Sequence, residues 1–209
     1  MKLSRKEIEK NFKKDFVGNA AYELFAHHSF DRVSMDEIAR KAEFGKGTLY
    51  KLFSGKEEIL VYIICRGIDQ LCSDLQEQCL GCRDSFQALE HLIELEYDFY
   101  TDYSNLVLAL LFRQSDGDLN NAFLNQIREK HQHRNQLVAK IIDKARDSGL
   151  LFRVENREFI RALESMMKGL MINHIESQSM SNDREFDLTL IKALLWEGLI
   201  EPGRLPDKG

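Results

Sequence analysis

The chain has 209 residues, 44% of them hydrophobic and 30% charged, enough for one large domain or a small one joined to a larger, with a sizeable core. No apolar run approaches the roughly 20 residues of a membrane helix, the opening stretch MKLSRKEIEKNFKK lacks a secretory apolar segment, and four cysteines do not make a disulfide scaffold. A cytoplasmic protein with reduced thiols and no membrane contact is expected. The net charge of −5 is unevenly spread: residues 1–56 hold 12 Lys+Arg against 8 Asp+Glu, or +4, and residues 57–209 hold 17 against 26, or −9. A basic head on an acidic body points to a polyanion partner.

The only prolines are Pro202 and Pro206, so nothing before the tail forbids helix. No stretch alternates as a strand does, and the fold class is all-α. Residues 4–28 place Ile8, Phe12, Phe16, Ala20 and Leu24 at steps of four, with Val17, Ala21 and Phe25 beside them, which predicts a long amphipathic helix. After HHSFDRV, the run SMDE reads as a capping box in which Ser34 caps and Glu37 reaches back. A short helix with Ile38, Ala39 and Ala42 inward follows. Three residues later, a second short helix buries Leu49, Leu52 and Phe53. Ser54, Glu57 and Glu58 then open another helix.

Two short helices across a tight turn, braced by a longer one, form a helix-turn-helix pattern. The run GKGT within it does not match a nucleotide-cradling loop. That loop needs Gly-Lys-Ser/Thr after a strand, whereas Gly47 here separates Lys46 from Thr48 and a helix precedes. With Leu49, Leu52 and Phe53 inward, the outer face of the second short helix carries Gly47, Thr48 and Lys51, flanked by Lys46 and Tyr50. It offers cations, hydroxyls and a residue without a side chain, suited to a DNA backbone and base edges. Lys56 opens the next helix at its anion-attracting end. A solvated helix face of an unrelated bundle would share this composition.

FAHHSFDRVSMDEIARKAEFGKGTLYKLFSGKEEIL, residues 25–60, resembles the DNA-binding domain of TetR-type transcriptional regulators. The likeness rests on Phe30, Ser34, Ile38-Ala39, Lys46 to Tyr50, Phe53 and Lys56-Glu57. It covers about a quarter of the chain with the preceding helix. Ser29, Glu43 and Gly45 depart from the family's usual Gly, Gly and Ser. A non-Gly residue at position 43 implies a modestly strained left-handed backbone. The resemblance implies that Ser34, Lys46, Gly47, Thr48, Tyr50, Lys51 and Lys56 touch DNA. It also implies a larger C-terminal helical domain that binds ligand and dimerises.

Downstream, helices are expected near 56–79, 85–101, 104–114, 118–148, 156–178 and 184–200, with Gly149 ending the fourth. The last two carry apolar residues around more of the cylinder than one core face needs, Phe159, Leu163, Leu170, Ile191 and Leu195 among them. One recognition helix reads few base pairs, so a homodimer reading a palindrome follows, with these helices as its interface. The resemblance puts the dimer contact there too, as a four-helix bundle. Tyr97, Tyr100, Tyr103, Phe112 and Met167 are candidates to line a pocket for a small apolar effector. Glu94, Glu96, Asp98 and Asp102 suit a cationic one, and core packing accounts for the same aromatics.

Cys65, Cys72 and Cys79 recur every seven residues and Cys82 closes a Cys-x-x-Cys. About 10 Å of helix separates Cys65 from Cys72, so at most Cys79 and Cys82 pair. They offer a redox- or metal-responsive alternative, or simply buried thiols. No metal site, cofactor or catalytic constellation stands out. The expectation is a DNA-binding transcriptional regulator, not an enzyme. Residues 1–56 read an operator and residues 57–209 hold a small-molecule effector and the dimer contact, the alternative being a regulator with no small-molecule effector. The resemblance favours repression over activation.

Overall fold

The computed structural model describes residues 4–115, 120–151, 155–177 and 184–199. Pro202 and Pro206 lie outside these described residues. The described residues form nine α-helices: α1 Arg5–His27, α2 Met35–Lys41, α3 Lys46–Leu52, α4 Lys56–Asp74, α5 Ser85–Asp102, α6 Ser104–Ser115, α7 Asn121–Asp147, α8 Asn156–Ser177 and α9 Arg184–Leu199. A 3-10 turn, Phe30–Arg32, precedes α2, and a π-helical stretch, Leu75–Leu80, continues α4. The fold is all-α, with an N-terminal helix-turn-helix domain and a larger C-terminal helical domain. None of the described helices is long and apolar enough to cross a membrane.

Local chemistry sets the helix ends. Ser4 and Ser34 each accept the amide three residues on, while Glu7 and Glu37 return a carboxylate to the cap amide. Asp84 accepts from the amides of Phe86 and Gln87 to start α5. α2 and α7 end alike. Phe44 N–H donates to the Ala39 carbonyl and Glu43 N–H to Arg40, just as Leu150 N–H donates to Ala145 and Gly149 N–H to Arg146. The left-handed residue of this motif is Gly149 (φ 74°) in one case and Glu43 (φ 57°) in the other. The expected strain at Glu43 is therefore present, on the order of 1–2 kcal/mol for a residue with a Cβ.

The chain divides into two compact units, residues 1–67 with 105–129, and residues 68–104 with 130–209. In the first, Val17, Ala20, Ala21 and Phe25 of α1 are buried, as are Phe30, Ile38, Ala39, Leu49, Leu52, Phe53, Ile59 and Leu60. This corrects the expected face of α1. Ile8, Phe12 and Phe16 are 56%, 63% and 52% exposed, because the helix continues three turns before its first buried residue. α6 is tied in by Asn105, whose amide donates to the Phe25 and Ala26 carbonyls at the end of α1 (3.4 Å each). Arg113 pairs with Asp31 and lies over the Phe30 ring at 4.9 Å.

In the second unit, Leu75, Leu89, Leu92, Ile93, Val138, Ile141, Leu163 and Ile191 are buried. An ion pair sits among them. Arg134 Nε donates to Glu96 Oε1 at 2.7 Å and Nη1 to Glu164 Oε1 at 2.7 Å, with Arg134 and Glu96 both fully shielded. Removing one partner of such a pair leaves an uncompensated buried charge, at a cost of about 3–5 kcal/mol. Burial lowers the pKa of the neighbouring His131 imidazole, so this ring is neutral at neutral pH.

Candidate nucleic-acid interface

The α2–turn–α3 segment puts two faces of α3 to different uses. Leu49 and Leu52 are buried against the head, while Gly47, Tyr50 and Lys51 are exposed. Tyr50, a large aromatic, is 55% exposed. A Cβ built at Gly47 would meet nothing within 4 Å. Packing inside the protein therefore gives no reason for glycine in the first turn of a helix, where Ala is intrinsically better. A surface that approaches from outside does give one. Lys46 is exposed and reaches Asp36 at 2.5 Å, an exposed pair of the kind that contributes little and opens readily. Thr48 is half-buried beside them.

Two of the expected contacts are already committed. The Ser34 hydroxyl accepts from Glu37 N–H at 3.2 Å and donates to Glu37 Oε2 at 2.7 Å. The Lys56 ammonium donates to the Phe30 carbonyl at 2.8 Å and lies 4.6 Å from the Phe30 ring centroid. Desolvation by this burial lowers its pKa. Lys56 thus holds the 3-10 turn to the start of α4, and its charge is directed inward.

Four of the five effector-pocket candidates lie in the second unit. Tyr97, Tyr100 and Met167 are buried in the second unit, and Tyr103 stacks on Phe99 at 5.0 Å. Phe112 belongs to the first unit and is 62% exposed. The Tyr97 hydroxyl donates to Asp187 at 2.7 Å, and His174 Nε2 lies 2.9 Å from the same carboxylate. The acidic residues of α5 are engaged: Glu94 with Lys192 (2.7 Å), Glu96 with Arg134, and Asp98 with Arg184 (2.7 Å). They hold neighbouring helices together and leave no free carboxylate among these three for a cationic ligand.

The proposed dimer residues are also placed differently. Phe159, Leu163, Ile191 and Leu195 are buried in the protomer's own core, and Leu170 is half-buried. The exposed apolar residues of α8 and α9 are Ile172, Phe186, Leu190 and Leu194, the last three at successive steps of four. Sequence reasoning also missed Arg134 and Asp187. The signal for Arg134 was Glu96 itself, a carboxylate in line with Leu92, Ile93 and Tyr100 on the buried face of α5.

Cys79 is fully buried and its thiol is pushed up to about 12, and Cys72 to about 11, in both cases chiefly by desolvation. Thiols so held are poor nucleophiles. Among the described residues, no group of three or more His, Cys, Asp or Glu side chains is arranged to hold a metal ion.

A family profile described as bacterial regulatory proteins, tetR family, matches residues 19–63, which run from the middle of α1 into α4. The HTH-type transcriptional activator FasR of Mycolicibacterium smegmatis is 34% identical over 80 residues, 38% of this chain and 36% of its own. The chain spans between about a third and just over half of the length of the curated relatives it matches. Among solved structures, a transcriptional regulator from Saccharomonospora viridis in complex with choline superposes with a TM-score of 0.75 at 16% identity, over 90% of this chain and 97% of the other. FadR from Bacillus subtilis in complex with stearoyl-CoA gives 0.65 at 18%, over 87% and 95%. At such identities these likenesses establish a shared fold. Over residues 19–63 the chain is thus similar to the bacterial regulatory proteins of the tetR family.

Proposed function

We propose that the protein is a DNA-binding transcriptional regulator that reads a palindromic operator as a homodimer and is released by a small-molecule effector. Residues 1–56 are the functional head and residues 57–209 the effector-binding and dimerising body. The single observation that carries the reading is the outer face of α3. There Gly47 borders open space, and Tyr50 and Lys51 stand exposed beside it. Lys46 and Thr48 flank that face, Ser34 caps α2, and Lys56 ties the 3-10 turn to α4.

Dimerisation is assigned to α8 and α9 through Ile172, Phe186, Leu190 and Leu194, an apolar surface that a monomer would leave in water. The two heads must then be spaced by about one helical turn of DNA, or a multiple, to dock together. An effector that prefers another spacing weakens operator binding by the ratio of its affinities for the two states, a coupling of roughly 1–3 kcal/mol. Since Glu94, Glu96 and Asp98 are paired, the aromatic interior around Tyr100, Tyr103 and Met167 favours an apolar effector over a cationic one. Of the structural neighbours, FadR holds stearoyl-CoA and the Saccharomonospora viridis regulator holds choline, a cation, so the preference rests on the paired carboxylates alone.

We infer repression, by occupation of a promoter. FasR is named as an activator, so a reporter assay decides the sign. The redox alternative through Cys79 and Cys82 loses ground because Cys79 is buried and its thiolate disfavoured. Selection of duplexes from a random library by the wild-type chain tests the reading. Enrichment of a palindrome is expected, and no enrichment overturns it.

A further inference from the structure

α1 is longer than the head requires. Lys14 meets Glu58 at 3.3 Å, the Tyr62 hydroxyl donates to Asp15 at 2.8 Å, and Arg66 donates to Asn19 at 3.1 Å. Contacts that advance together along both helices mean that α1 and α4 run in the same direction here. With Lys14 opposite Glu58, residue 12 is level with the start of α4 at Lys56, and residues 5–11 extend past it. At 1.5 Å per residue, they reach about 13 Å beyond the Lys14–Glu58 contact. The end they pass is the one where α3 hands over to α4.

Three lysines fall at i, i+4 and i+7, Lys6 and Lys10 on this overhang and Lys13 just behind it. The row continues the line of Val17, four residues after Lys13, and of Ala20 and Ala21, which face into the head. The lysines thus face the side on which the head lies. Ile8, Phe12 and Phe16 face away from it. Among the described residues, Lys6 and Lys10 are exposed and form no ion pair, and Lys13 makes one exposed pair with Glu9 at 2.6 Å. Lysines left unpaired in a chain of net charge −5 are suited to an external polyanion.

We propose that Lys6, Lys10 and Lys13 form a second contact with DNA, gripping the phosphate backbone that flanks the groove entered by α3. The proposal rests on the DNA-reading function above. It adds affinity without base discrimination, since backbone contacts are independent of sequence.

The test uses the full chain, a duplex selected by the wild type, and the variants Lys6→Ala/Lys10→Ala and Arg157→Ala. The last removes an exposed cation from the other compact unit. Each lost phosphate contact lowers the slope of log K against log salt by about 0.9, so the double variant is expected to lose about 1.8. Between 50 and 200 mM salt its affinity should then fall about 12-fold less steeply than that of the wild type, and Arg157→Ala should keep the wild-type slope. A double variant that binds the duplex with the wild-type slope overturns the proposal and leaves the α3 reading intact. Loss of binding to anionic phospholipid vesicles with that slope unchanged assigns the row to a lipid surface and overturns it equally. A wild type that selects no duplex removes both readings together.

Discussion

Acidic residues on α4 and α5 of the body are paired across helices, whereas three lysines on the surface of the head are left unpaired among the described residues. In the body, Glu94, Glu96, Asp98 and Asp69 each meet a cation, Lys192, Arg134, Arg184 and Lys130 in turn. Those charges join α5 to α7 and α9, and α4 to α7. In the head, Lys6, Lys10 and Lys51 are exposed and make no ion pair among the described residues. Charge that closes on itself stabilises a protomer, and charge left open awaits a partner. The comparison assigns stability to the first set and recognition to the second, and it can be broken from either side.

The largest expected effect lies in the body. Glu96→Ala strands Arg134 in the core and should lower stability by about 3–5 kcal/mol, seen as a loss of several degrees or more in Tm. A Tm within a degree of the wild type would mean that the pair is not the anchor described. The next effect lies on α3. Gly47→Ala should leave the fold as stable or slightly more so, by about 0.5 kcal/mol. Operator affinity should nevertheless drop about tenfold or more, the equivalent of about 1.4 kcal/mol, because the new methyl group stands where the DNA approaches. Undiminished affinity would show that the open space at Gly47 has no bearing on binding.

Lys56→Ala separates the two kinds of charge within the head itself. Its ammonium is bound to the Phe30 carbonyl and ring, so the salt slope of DNA binding should stay as it is. Thermal stability should fall by about 1 kcal/mol. A slope reduced by about 0.9 would restore Lys56 to the phosphate-contacting set. The smallest effect concerns the turn. Glu43→Gly relieves about 1–2 kcal/mol of left-handed strain but gives the unfolded chain about 0.5–1 kcal/mol more entropy to lose. A net gain of about 0.5 kcal/mol in chemical denaturation is expected, and a loss of stability would show that the glutamate side chain holds the turn in some other way.

What the sequence made legible follows from which forces are local. Helix ends at Ser34 and Gly149 are set by groups within five residues of one another, and the strain at Glu43 by the turn motif alone. The inward side of α3 was readable from Leu49, Leu52 and Phe53. Periodicity gave the wrong face to α1, because Ile8, Phe12 and Phe16 keep helical spacing along a stretch that overhangs the head, and spacing carries no record of where neighbours stop. The apolar width of α8 and α9 was visible, but the division between core-facing Leu163 and Ile191 and outward-facing Phe186 and Leu190 needed the third dimension. The internal bond of Lys56 and the role of Arg134 could not be read from the sequence because their partners, the Phe30 carbonyl and Glu96, lie 26 and 38 residues away.

The central claim is that the outer face of α3 reads DNA. It is tested most directly by the affinity of Tyr50→Ala/Lys51→Ala for a duplex selected by the wild type, measured at one fixed salt concentration beside circular dichroism and sedimentation. The account predicts at least a tenfold loss of affinity, with helicity and oligomeric state unchanged. Wild-type affinity in a folded double variant would contradict it.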